Sequence, residues 1–190
     1  MCTTRSIWLL LCILVLGGCY ESLVSIATPD KLVFYDDLVG EYKAVDPATG
    51  RLTLERGREK EYAYKQYDDK DALQNKGTLK IIKLGDEHFY ELTVDGFKTT
   101  DDKPVYAIGR LSIEGQAGGK TITGYTCEPK EKLFDDPQIT TVEYTYKHDG
   151  EEKKSRALSM PAEKLQARLA AHAKQMTEKT LSFQQIPAGK

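Results

Sequence analysis

A chain of 190 residues with 27 basic and 29 acidic side chains carries a formal charge of −2, and that balance leaves no basic surface for nucleic acid. The length fits one domain with a sizeable core, so a second domain is not expected. The four cysteines and three histidines are scattered, with neither a disulfide framework nor metal-ligand spacing, so no metal or other cofactor is expected.

The first element is the stretch RSIWLLLCILVLGGC from Arg5 to Cys19. Arg5 supplies a basic start, Ile7 to Leu16 an unbroken apolar run, and Gly17 and Gly18 the small residues a signal peptidase accepts before its cut. A helix across a hydrocarbon core needs about 20 apolar residues, and this run stops short of that. It also lacks the polar face of a helix packed on a soluble core. An ordinary cut after Ala27 would lie too far beyond the run. Leu16-Gly17-Gly18-Cys19 resembles the lipobox of bacterial lipoproteins. The resemblance implies cleavage between Gly18 and Cys19, acylation of the Cys19 thiol with fatty chains of the palmitate kind, and a lipid-anchored protein facing the periplasm or exterior. Tyr20 stands where that family often has an inner-membrane aspartate, which implies the outer membrane if the host has one.

Removing residues 1–18 takes away Arg5, Cys2 and Cys12, leaving Cys127 as the one thiol that lipid does not consume. An exported domain without an internal disulfide must rely on burial and hydrogen bonding, and Cys127 reads as a small apolar strand residue. Residues 19–30, of mixed polarity and closed by Pro29, read as a tether between the anchor and the domain.

Gly40 to Val45 and Arg51 to Arg56 read as strands joined at Asp46-Pro47-Ala48-Thr49-Gly50. Tyr62 and Tyr64 share a face of the next strand, before a polar loop at 68–77. Thr78–Leu84 and His88–Val94 flank Gly85-Asp86 as a hairpin. Val105–Ile113, Thr121–Cys127 and Thr140–His148 follow, and a last strand runs up to Leu158. Eight or nine strands with short turns and no helical pattern between them make an antiparallel meander, and closure into a β-barrel removes its edges. A two-sheet sandwich is the alternative. Ala162, Leu165, Leu169, His172 and Met176 fall at helical spacing behind Ser159 and Pro161, so a C-terminal helix is predicted over 160–181, docked on the sheet. The domain is then 31–182, with residues 183–190 a flexible tail.

A short opening turn, a strand starting Gly40-Glu41-Tyr42, a meander and a C-terminal helix resemble the lipocalin-like barrels, in which Gly-x-Trp occupies that start. Tyr stands here in place of Trp. The resemblance implies a barrel able to carry a small apolar ligand.

Several motifs dissolve on inspection. The glycine-rich run at 115–121 is one residue short of a P-loop and leads into β-branched strand, where no helix N-terminus awaits a phosphate. Asp68, Asp69 and Asp71 lack EF-hand spacing. His88, His148 and His172 form no H-E-x-x-H, and no G-x-S-x-G is present, so an enzyme is not expected. Of the eleven tyrosines, Tyr62, Tyr64, Tyr144 and Tyr146 pair on strand faces, where each brings large apolar area and one polar tip. They line a ligand cavity if the barrel is hollow and are core if it is filled. The expectation is a membrane-anchored, non-enzymatic envelope lipoprotein. Its alternative is a lipocalin-like carrier of a small apolar ligand. The expected partners are the membrane, through the lipid on Cys19, and either such a ligand or another envelope protein.

Overall fold

The computed structural model describes residues 20–45, 50–116, 119–127, 136–148 and 151–187. The strands are β1 (Tyr20–Ser22), β2 (Leu32–Val33), β3 (Gly40–Ala44), β4 (Arg51–Arg56), β5 (Glu61–Tyr67), β6 (Leu73–Leu84), β7 (Glu87–Val94), β8 (Tyr106–Glu114), β9 (Thr121–Cys127), β10 (Thr141–His148), β11 (Glu151–Leu158) and β12 (Met176–Gln185). Helix α1 spans Ala162–His172.

Strands β3 to β9 form an antiparallel meander in which each strand pairs with the next in sequence. Closure comes from β12, which pairs β9 along one edge and β3 along the other, from Phe183↔Ala44 to Gln185↔Tyr42. The result is a closed eight-stranded antiparallel barrel. The Gly85-Asp86 turn lies where the sequence places it, with Gly85 at φ 64°, a conformation that suits a two-residue hairpin.

Strand alternation explains the filling. Tyr42, Leu52, Leu54, Tyr62, Tyr64, Leu79, Ile81, Tyr90, Leu111, Ile122 and Phe183 form one buried cluster. Because every barrel strand contributes to it, that cluster is the interior. A second core lies outside the wall. Ile82 and Leu84 of β6, Phe89 of β7 and Ile108 of β8 point outward and meet Leu165 and Leu169 of α1, with Tyr20 and Ile26 in the same cluster. Ile81 and Ile82 are adjacent yet both buried, because β6 is covered on both faces. Each fully buried leucine of α1 contributes roughly 1.5–3 kcal/mol.

Three expectations need correction. From Tyr20 onward, the stretch expected as a tether is built into the fold. β1 pairs antiparallel with β8 and parallel with β11, Tyr20 and Ile26 are fully buried, and β2 lies beside Ile81 and Ile82 of β6. Those partners are far along the chain, so no local pattern announces them.

The predicted helix over 160–181 stops at His172, passes through a 3-10 turn at Ala173–Gln175 and becomes β12. Pro161 occupies the N-cap, and no side chain caps the helix. The expected flexible tail begins inside β12, where Phe183 is 4% exposed. Met176 fits the helical spacing, but Thr177, Thr180 and Phe183 suit a strand, and the barrel needs that strand to close.

The expected last strand, β11, stands outside the barrel. It pairs with β10 along its whole length, and β1 links this hairpin to β8. Val105, Tyr144 and Ala157 form a third core beneath it, with Phe97 and Tyr146 packed alongside.

Candidate functional site

The four tyrosines singled out from sequence do not line one cavity. Tyr62 and Tyr64 are in the barrel interior, 0% and 3% exposed. Tyr144 and Tyr146 lie on β10 in the separate core under the hairpin, with the Tyr146 ring edge-on to Phe97 at 5.1 Å.

Inside the barrel, the aromatic rings lie over strand glycines. Tyr64 is opposite Gly77, and Tyr90 is opposite Gly109. A Cβ on Gly109 would come within 2.6 Å of the Tyr90 hydroxyl, and one on Gly124 would meet the Tyr90 ring at 3.1 Å. The missing side chains are the space these rings occupy. The seat of Tyr90 is not legible in the sequence, because it depends on a cross-strand register that the sequence does not display.

The barrel end at which β3 begins is covered by the 3-10 turn Asp36–Leu38. Leu38 is fully buried there. The Tyr42 hydroxyl donates to the Leu38 carbonyl at 2.7 Å, while the Tyr62 hydroxyl accepts from the Tyr35 N–H at 2.7 Å and donates to the Tyr35 carbonyl at 3.1 Å. Burial pushes the Tyr62 phenol up to about 12 and raises that of Tyr42 further. Both therefore serve as neutral hydrogen-bonding struts.

The most unusual charged group is Glu91, on the outer face of β7 and 1% exposed. Its carboxylate accepts the Ser25 hydroxyl at 2.8 and 2.9 Å and the Ile26 N–H at 2.6 Å, with the Lys80 ammonium at 3.9 Å. Burial raises its pKa above the ordinary glutamate value, against the opposing pull of those partners. It borders a cleft of about 180 Å³ lined also by Glu61, Thr78, Lys80, Thr93, Pro104 and Tyr106. From α1, Gln166 donates to the Ile26 carbonyl at 2.8 Å and to the Thr28 hydroxyl at 3.1 Å. Residues 23–28 thus form a strap clamped between the barrel wall and the helix. Glu91 is its latch, and with those oxygens engaged it has the surroundings of a structural group.

The histidines are also engaged. His88 Nε2 is 2.7 Å from the Tyr35 hydroxyl, and burial lowers its pKa. His172 Nε2 is 3.0 Å from Asp136 Oδ2 and its Nδ1 is 3.1 Å from Gln175 Oε1, so both ring nitrogens are occupied. The Asp136 carboxyl is held below its ordinary value by His172 first and the Gln138 N–H next. Asp68 accepts the Lys70 and Ala72 N–H groups and the Gln74 amide, closing its own loop. The side chains of Cys127 and His148 lie outside the described residues, as do Gly18, Cys19, residues 46–49 and the Asp149-Gly150 turn. No group of three or more His, Cys, Asp or Glu residues able to hold a metal ion occurs among the described residues.

No protein-family model matches this chain, and no curated protein or solved structure shows significant similarity to it.

Proposed function

We propose that this chain is a membrane-anchored bacterial envelope lipoprotein, held by acyl chains on Cys19 and acting, without catalysis, through the outer surface of its barrel. The reading rests on Leu16-Gly17-Gly18-Cys19 behind an apolar run too short to span a bilayer. That junction is the single observation that carries the reading. A thioether-linked diacylglycerol supplies two chains, enough for a stable anchor at about 0.8 kcal/mol per buried methylene.

Surface action, rather than carriage of a small apolar ligand, is supported by the interior rings. Tyr90 occupies the space over Gly109 and Gly124, and Tyr64 that over Gly77. A carrier would need that volume for its cargo. The test is metabolic labelling with palmitate in a bacterial host. We expect label on the wild-type chain, none on Cys19→Ala, and accumulation of unprocessed Cys19→Ala precursor, with Cys127→Ala behaving as wild type. Label retained on Cys19→Ala would overturn the assignment.

A further inference from the structure

The outward face of strands β5 to β8 forms the floor of the cleft that Glu91 borders, about 180 Å³ in volume. Its composition follows from cross-strand register. Glu61, Lys80 and Glu91 stand side by side in one row across β5, β6 and β7, and Thr78 and Thr93 stand side by side in the next. Side chains directly opposite in antiparallel strands share a face about 5 Å apart, so the two rows make one polar floor. Two neighbouring segments are fixed against it. The strap is held by the bonds of Ser25 and Ile26 to Glu91. The loop carrying Pro104 is held by the Lys98–Pro104 bridge and by the Thr100 N–H donating to the Thr145 carbonyl at 2.8 Å.

The groups the fold leaves unused decide what the cleft can hold. Lys80 Nζ is 3.9 Å from Glu91, beyond hydrogen-bond range, and the lysine side chain is 30% exposed. Glu91 is already spent on Ser25 and Ile26. Among the described residues, no hydrogen bond reaches the Lys80 ammonium or the Glu61 carboxylate. The Thr93 hydroxyl has only a 3.5 Å contact with the Thr78 carbonyl. With Thr78 and Tyr106 also in the lining, the cleft offers free donors, free acceptors and hydroxyls that act as either.

The alternation of charge selects against ions. A lone anion seated on Lys80 would lie close to the Glu91 carboxylate, and a lone cation seated on Glu61 would lie close to Lys80, so each attraction is offset by a repulsion of similar range. An uncharged ligand whose hydroxyls both donate and accept meets no such opposition. The Tyr106 and Pro104 rings add apolar surface for its C–H groups. The volume is below the roughly 300–1,000 Å³ of drug-sized sites and suits one sugar ring rather than a chain of them.

We propose that this cleft binds a single uncharged sugar ring, whose hydroxyls donate to Glu61, accept from Lys80 and exchange hydrogen bonds with Thr78, Thr93 and Tyr106. Glu91 is a positioning residue that holds Lys80 across the floor and the strap at its border. The site lies on the outer wall and uses no residue of the signal segment, so it is tested apart from the lipid anchor.

The experiment is a titration of the full chain, purified in a detergent without a sugar headgroup and labelled on its threonine methyls for NMR. Glucose, galactose and N-acetylglucosamine are the probes, with glycine and glutamate as charged controls. We expect at least one sugar to shift the Thr78 and Thr93 methyls saturably, with a Kd of roughly 1 mM, while Thr126 in the barrel wall stays unmoved. Glu61→Gln and Lys80→Met should each weaken that binding about tenfold or more. Lys65→Met, whose ammonium pairs with Glu55 on the far side of β5, should bind as wild type. No saturable shift at Thr78 or Thr93 with any of the three sugars up to about 100 mM would overturn the proposal. Shifts produced by glycine or glutamate in place of the sugars would overturn it as well. Should Lys80→Met not fold, Glu61→Gln decides alone, and unchanged sugar binding in that variant would overturn the site. None of these results bears on acylation at Cys19.

Discussion

The barrel and the layer laid over it are held together in different ways. In the barrel, seven of the eight strands pair with sequence neighbours, and the interior is made by tyrosines seated on glycines of the next strand. In the outer layer, the strap, the β10–β11 hairpin and α1 meet through residues more than a hundred positions apart, as in Ser22↔Leu158 and the bond from Gln166 to Ile26. Local pairing gives the first region a register that each hairpin sets for itself. The second depends on the barrel already being formed, and a few buried polar bonds decide whether it stays.

The largest effect should come from the barrel interior. Tyr90→Ala removes a ring that is 2% exposed and should cost about 3–5 kcal/mol in chemical denaturation. If the cavity stays dry, it should also take up a benzene-sized probe that the wild type excludes. From the opposite side, Gly109→Ala drives a Cβ into the Tyr90 ring and should cost about 1–3 kcal/mol. A neutral result at Gly109 would mean that the ring is not seated as described.

This contrast also marks what the sequence reveals. Tyr90, Leu92 and Val94 alternate, and Gly85-Asp86 punctuates the hairpin, so β6 and β7 can be read directly. β12 cannot. Met176 continues the helical spacing of Leu165 and Leu169, and only the open edges of β3 and β9 make Met176–Gln185 a strand. Tyr20–Ser22 is three residues long, too short for any periodicity, and its burial is imposed by partners on β8 and β11. Glu91 is hidden in the sequence for the same reason. A glutamate within an alternating strand reads as solvent-facing, and nothing local foretells a strap across it.

The strap latch is the next largest expected effect. Glu91→Ala leaves the buried Ile26 N–H without its acceptor and should cost about 1–3 kcal/mol, with faster hydrogen exchange over residues 23–28 and little change in the barrel strands. Glu91→Gln keeps an acceptor and should cost less. The sign of its pH dependence follows from the raised pKa. The folded chain holds the Glu91 proton more tightly than the unfolded chain, so this group's contribution is fully present below the ordinary value of 4.5 and is lost as pH rises through the folded value. Wild-type stability measured relative to Glu91→Gln should therefore fall as pH rises from 4 towards 7. A flat difference would show that burial does not govern this carboxylate.

Asp136 and Asp68 act with the opposite sign. Their pKa values are held below the ordinary 3.8, so their contributions are present above that value and are lost as pH falls through the folded ones. The smallest effect should come from the hairpin. Tyr146→Ala removes a half-buried ring packed edge-on to Phe97 and should cost about 0.5–1.5 kcal/mol in thermal or chemical unfolding, without disturbing the barrel.

On the proposed lipoprotein reading, the anchor at Cys19 stands one position before Tyr20, which is fully buried. The most direct measurement is mass spectrometry of the mature N-terminus of the chain produced in a bacterium. We expect a chain that begins at Cys19 and carries the mass of a thioether-linked diacylglycerol. A mature chain that begins at Thr28, or retains Met1 without acyl chains, would contradict the anchored reading.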